Sequence, residues 1–276
     1  MSASTPINVV STYVPFGPSN FSNSTVNSYV NILATAGGAA VTAAITKAAA
    51  TSVLARLSTT ISNTGGGDNH RVGVNDGTTD WECGRARIDV ANTQRTTFAF
   101  ERLITGLGAG AFTFTARDRC SFGTAVFSTL ASVTLTLVEV KNLNVVNFYS
   151  GLSNNFTNTT STYVNFNYAT GTPAQVSITK KAGTNLYVRA GASSGSVNVP
   201  SSAQLGVNVN SVDHDLPARL PWVSGYNQML LGEGLITGLG AGTYPLTVRV
   251  KNAAAASASF LAASSAVFIT VWEVLP

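Results

Sequence analysis

Two stretches gather side chains close enough for chemistry. Asp213-His214-Asp215 sets an imidazole between two carboxylates, the makings of a general base or of part of a metal site. Asp76, Asp80 and Glu82 bring three acids together, and paired carboxylates are what acid–base hydrolysis uses. A metal at His214 needs a third convergent ligand, and the sequence sets none beside it, so His214 is expected as a solvated loop histidine. The three acids sit in a Gly/Thr-rich stretch, and His70 follows the glycine run Thr64-Gly-Gly-Gly67, next to what reads as a flexible loop. Serines are plentiful, yet no Gly-x-Ser-x-Gly elbow singles out a nucleophile. The expectation is a chain without catalytic residues, cofactor or metal.

A glycine-rich segment, Ile104-Thr-Gly-Leu-Gly-Ala-Gly110, invites a phosphate-loop reading. Such a loop must close a strand-to-helix turn, so that backbone N–H groups and the helix dipole face the anion. Here an alternating, β-branched and aromatic run follows, Ala111-Phe-Thr-Phe-Thr-Ala-Arg117, which suits a strand. The segment reads as a turn between two strands.

The same seven residues return at Ile236 to Gly242, an offset of 132 between Ile104 and Ile236. On that alignment Ile45-Thr46-Lys47 and Arg56 fall near Ile178-Thr179-Lys180 and Arg189. Gly73-Val74-Asn75 falls near Gly206-Val207-Asn208, and Val133 to Val140 near Val267 to Val274. The chain therefore reads as two tandem units of one design, residues 1–141 with an N-terminal arm and residues 142–276. No Pro/Gly/Ser linker separates them, which predicts close packing. Each unit is of modal domain size and able to fold without staples.

These elements are predicted to be strands. Alternating runs bounded by Gly, Asn, Ser and Pro mark Tyr29–Ala34, Ala40–Thr46, Ser52–Ile61, Arg71–Asn75, Arg85–Val90, Thr96–Leu103, Phe112–Arg117 and Val133–Val140. The second unit repeats most of them: Gln175–Thr179, Asn185–Ala190, Met229–Leu235, Tyr244–Val250 and Val267–Val274. Ala39 to Ala50 reads mostly as strand and Ala253 to Ala263 as loop. Pro245 cannot donate to a ladder, which places its strand at an edge or a bulge. The fold class is all-β: two tandem jelly-roll-like antiparallel sandwiches.

Composition narrows the partners. The 276 residues carry 16 Lys and Arg against 12 Asp and Glu, a net charge of +4 spread without clusters. That gives no footprint for nucleic acid. The surface must be largely Ser, Thr, Asn and Gly, soluble but weakly self-repelling, and this favours assembly. No apolar run is long enough to span a bilayer, and Met1-Ser-Ala-Ser-Thr-Pro6 lacks a signal peptide's basic and apolar regions, so synthesis in a cytoplasm is expected. Cys83 and Cys120 lie in the first unit alone and match no metal spacing; free buried thiols are expected, with a bridge left to geometry.

The opening Tyr-Val strand (Tyr29, Tyr163), the late ITGLGAG turn with a strand ending in Arg (Arg117, Arg249), and the closing Val-Glu-Val strand (Glu139, Glu273) resemble a known family. It is the tumour-necrosis-factor/C1q-like jelly-roll domains of bacteriophage tail-fibre and other virion-surface proteins. The resemblance implies a trimer exposed on a phage particle, with other virion proteins such as the major capsid protein as partners. The function expected is a non-enzymatic virion structural protein that decorates or cements the head; the alternative is a tail-fibre or spike module that binds a glycan. Arg117, Arg249, Glu139 and Glu273 are candidates for inter-sheet or intersubunit ion pairs, and Trp81, Trp222 and Tyr226 for stacking on sugars. Tyr13, Phe16, Tyr149 and Phe156 are expected in the core rather than on a contact surface.

Overall fold

In a computed structural model the described residues are 8–15, 21–23, 27–34, 38–63, 68–88, 95–121, 125–127, 132–141, 145–193, 202–221, 229–252, 258–260 and 265–274, and no helix forms among them. Sixteen strands carry the architecture. The first eight are β1 (Val9–Pro15), β2 (Thr42–Lys47), β3 (Thr51–Asn63), β4 (Asp68–Asn75), β5 (Asp80–Ile88), β6 (Arg95–Ile104), β7 (Gly110–Cys120) and β8 (Ser132–Lys141). The second eight are β9 (Val145–Gly151), β10 (Gln175–Lys180), β11 (Asn185–Ser193), β12 (Ser202–Val209), β13 (Val212–Pro221), β14 (Met229–Ile236), β15 (Gly242–Asn252) and β16 (Ala266–Val274).

The ladders run β1-β8-β3-β6 and β2-β7-β4-β5 in the first half, then β9-β16-β11-β14 and β10-β15-β12-β13 in the second. Each half is thus a pair of antiparallel sheets with the jelly-roll order, and both use one topology. Burial alternates along the strands as the pleat requires: in β7, Phe114, Ala116 and Cys120 point inward, and in β15, Leu246, Val248 and Val250 do the same.

The repeated ITGLGAG segment is a turn from β6 to β7 and from β14 to β15. Gly106 and Gly110, and likewise Gly238 and Gly242, take positive φ, which explains the glycines. Lys47 Nζ donates to the Gly108 carbonyl at 3.1 Å and to the Ala48 carbonyl. The first turn therefore offers an acceptor to a cation, the opposite of a phosphate cradle.

Several expectations need correcting. The opening strands β1 and β9 were not anticipated, because Val9–Pro15 and Val145–Gly151 lie outside the runs read as strands. Pro245 sits in a central strand, but it pairs Ser177 of β10 just before the β12 ladder begins at Leu246, so its missing N–H interrupts nothing on that side. Within Ala253–Ala263 a short strand, Ala258–Phe260, pairs Phe156–Asn158. Cys83 and Cys120 are fully buried thiols that form no disulfide with each other; burial pushes the Cys83 thiol up to about 12, which leaves it a protonated, unreactive group.

Candidate functional site

The repeated arginines brace each half from within. Arg117 Nε lies 3.1 Å from Asp80, while its guanidinium reaches Asn31 Oδ1 and the Tyr29 carbonyl. Arg249 repeats the arrangement with Asp213 at 3.3 Å, Asn165 Oδ1 and the Tyr163 carbonyl. The glutamates do a different task. Glu139 accepts from Ala48 N at 2.8 Å and Thr51 Oγ1 at 3.0 Å, closing the β2–β3 turn; Glu273 accepts from Thr184 Oγ1 at 2.7 Å and from Lys181 N at the β10–β11 turn. These residues hold turns and sheet pairs.

The acids and histidines are likewise committed. Asp213 is on Arg249 and Asn208, and Asp215 takes Tyr163 Oη at 2.7 Å and Lys251 Nζ at 3.1 Å, so the carboxylates flanking His214 are structural. His70 is not beside solvent. It is fully buried on β4, 3.5 Å from the buried Asp118 of β7, whose other oxygen accepts from Asn23 Nδ2 at 2.9 Å. Among the described residues no group of three or more His, Cys, Asp or Glu could hold a metal ion. Trp81 packs on the first core and donates its indole N–H to Asp76 Oδ2 at 2.8 Å. Trp222 and Tyr226 lie outside the described residues, as does Phe16.

What sequence reasoning missed is the junction between the halves. The outer face of the β9-β16-β11-β14 sheet lies across the β5–β6 side of the first sandwich. Ala266 and Phe268 belong to the first half's core, where the Phe268 ring sits 5.7 Å from that of Phe100. Strand β6 has a ladder on one side only, and its outer amides are taken up across the junction: Leu103 N donates to Asn147 Oδ1 at 3.3 Å and Ala99 N to Met229 Sδ at 3.0 Å. Gly151 makes room for the Arg85 guanidinium, which any Cβ there would meet at 2.3 Å.

Two charged clusters bolt this junction. Glu82 receives Tyr149 Oη at 2.6 Å and Arg85 Nε at 2.8 Å on the same oxygen. Burial, and then the Glu82 charge, push the Tyr149 phenol well above its ordinary range. It is therefore a fixed hydrogen-bond donor. Glu101, fully buried, is held between Arg56 of its own half at 2.8 Å and Arg189 of the other. Beside it opens a cleft of about 170 Å³, lined by the two arginines with Ser58, Thr134 and Thr136. Its guanidiniums and hydroxyls suit an anionic or polyhydroxyl group, and it holds no nucleophile paired with a base.

Tyr13 also departs from expectation. It is 63% exposed on the outer face of β1, whereas Tyr149 is at the junction and Phe156 packs in the second core.

No family model matches the sequence, and no curated protein does. Among solved structures, a recombinant N-glycanase F is similar at 12% identity, covering 92% of this chain and 95% of its own, with a TM-score of 0.39. A structure of infectious bursal disease virus Gt strain is similar at 7% identity over 100% of this chain and 79% of its own, with a TM-score of 0.33. The expectation of a non-enzymatic chain is corrected by these findings, since the similar structures include a peptide-N(4)-(N-acetyl-beta-D-glucosaminyl) asparagine amidase at 10% identity and a TM-score of 0.39.

Proposed function

We propose that the chain is a structural component of a bacteriophage virion, exposed on the particle, where it decorates or cements the head as a homo-oligomer docked on the major capsid protein. The observation that carries this reading is the shared core. Phe268 and Ala266 complete the first sandwich, so the two jelly rolls behave as one stiff block. A stiff block with a weakly charged, Ser/Thr-rich exterior suits a lattice, because it loses little conformational freedom on docking and is not driven off by its own charge. The trimer and the particle-surface position follow from the family resemblance.

Quantitative mass spectrometry of gradient-purified particles tests the proposal. The expected result is a fixed ratio to the major capsid protein set by lattice symmetry, with heads that rupture at lower temperature once the protein is stripped. A few copies per particle, together with soluble protein that blocks adsorption, would assign it to a receptor-binding fibre; absence from particles would overturn the reading.

A further inference from the structure

The junction between the halves is head-to-tail: the outer sheet face of one sandwich meets the open side of the other. Such a contact uses two different surfaces, so it leaves one copy of each unused at the ends of the chain. The first half still presents its outer face at β1, and the second still presents its β13–β14 side.

Register identifies the unused residues. Tyr13 pairs Thr134 as Tyr149 pairs Phe268, Glu82 pairs Gly73 as Asp215 pairs Gly206, and Glu101 pairs Arg56 as Glu233 pairs Arg189. The contacts Tyr149 to Glu82 and Arg189 to Glu101 bolt the halves together. Their counterparts Tyr13, Glu233 and Asp215 are 63%, 59% and 56% exposed, Asp215 while also accepting from Tyr163 and Lys251; Arg56 is already taken up in the existing junction by Glu101 and the Trp272 ring. Leu235, the counterpart of the junction residue Leu103, is 56% exposed.

We infer that the partner of these two surfaces is a second copy of this chain, joined by repeating the intramolecular contact in trans. Tyr13 of one copy donates to Asp215 of the next, and Leu235 is covered. The tyrosine-to-carboxylate hydrogen bond repeats that of the existing junction. The apolar content does not, since Thr134 and Val138 stand where the junction has Phe268 and Trp272. The trans contact is accordingly the weaker one, suited to reversible assembly. The inference rests on the junction geometry and not on the virion reading.

The test uses two variants at exposed sites, Tyr13→Glu and Leu235→Arg, followed by sedimentation at protein concentrations up to about 1 mM. The native chain is expected to associate, each variant alone to associate at least about tenfold more weakly with unchanged melting temperature, and an equimolar mixture to form a one-to-one complex. That complex arises because each variant keeps the surface the other has lost, which a two-fold contact between identical patches does not permit. A native chain that stays single, a variant that still assembles, or a mixture that stays unassociated would overturn it. Copy number on particles is independent: particles at lattice ratio with an inert mixture would leave the virion reading and remove this one.

Discussion

Across β5 and β6 the first half sets Gly84 against Phe100; across β13 and β14 the second sets Leu216 against Gly232. A Cβ on Gly84 would lie 2.1 Å from the Phe100 ring, and one on Gly232 2.8 Å from Leu216 Cβ. The large and small partners have changed sides. In the second half Leu216 covers its own core, whereas in the first Phe100 stands at the open side and is covered by Phe268. The same topology thus makes one sandwich that closes itself and one that needs a neighbour. This is how a repeated design becomes one body: the lid for the first unit is written into the outer face of the second.

Removing the lid should be the most damaging change. Phe268→Ala leaves a cavity against Phe100, and deletion of a buried phenylalanine costs about 3–5 kcal/mol. The matching change in the first half, Thr134→Ala, removes a partly exposed hydroxyl and should stay within about 0.5 kcal/mol. Denaturant midpoints measured on both variants check this; equal losses would mean that the two outer faces are equivalent after all.

Glu101 and Glu233 give the next contrast. Glu101→Ala strands Arg56 and Arg189 beside a dry junction. Both guanidiniums keep some access to water, so the cost is about 2–3 kcal/mol and not the upper range for buried pairs. Glu233→Ala removes an exposed charge 3.9 Å from Arg189 and should cost under about 0.5 kcal/mol. The comparison fails if the two unfold alike.

Tyr149→Phe should cost about 1.5–3 kcal/mol through the lost bond to a charged acceptor, against nearly nothing for Tyr13→Phe. The phenol's pKa is raised in the folded state, so its contribution is complete below the ordinary tyrosine value of 10.0 and is lost as pH climbs beyond it. The native chain should lose stability steeply above pH 10, and Tyr149→Phe should flatten that limb.

The strands were legible because alternation survives in a single sequence. His70 was legible too, had its parity been followed: it is in phase with Val72 and Val74, both fully buried. The junction was not. Glu101 and Arg189, Tyr149 and Glu82, and Phe100 and Phe268 meet across long sequence separations, and outward-facing residues obey the same alternation whether they meet water or another sheet. Glu101 and Glu233 look alike in sequence, and only the docking of the halves separates a buried carboxylate from a solvated one. The Gly84/Phe100 and Leu216/Gly232 exchange is the one local sign, and its meaning depends on knowing which strands adjoin.

The smallest contrast lies in the hairpins at β4–β5 and β12–β13. Asn75 and Asn208 make the same bond, to Asp80 at 2.9 Å and to Asp213 at 2.7 Å, but the connections beyond them differ. The second closes with Asn210 and Ser211, both at positive φ, a tight two-residue turn that uses no charge. The first is longer and is organised by Asp76, which accepts from Thr78 N, Thr79 N, Thr78 Oγ1 and Trp81 Nε1. Partial burial opposes ionisation of that carboxyl, yet the four donors outweigh it and hold its pKa at about 2, below the ordinary 3.8. A depressed carboxyl stabilises the fold above its unfolded value and loses that effect as pH falls from about 4 toward 2. Amide shifts of Thr78 and Thr79 should therefore titrate near pH 2 and cease to do so in Asp76→Asn, while those of Asn210 and Ser211 stay fixed. Titration of both turns together would show that the acid response belongs to the whole sheet end and not to the one turn built on a charge.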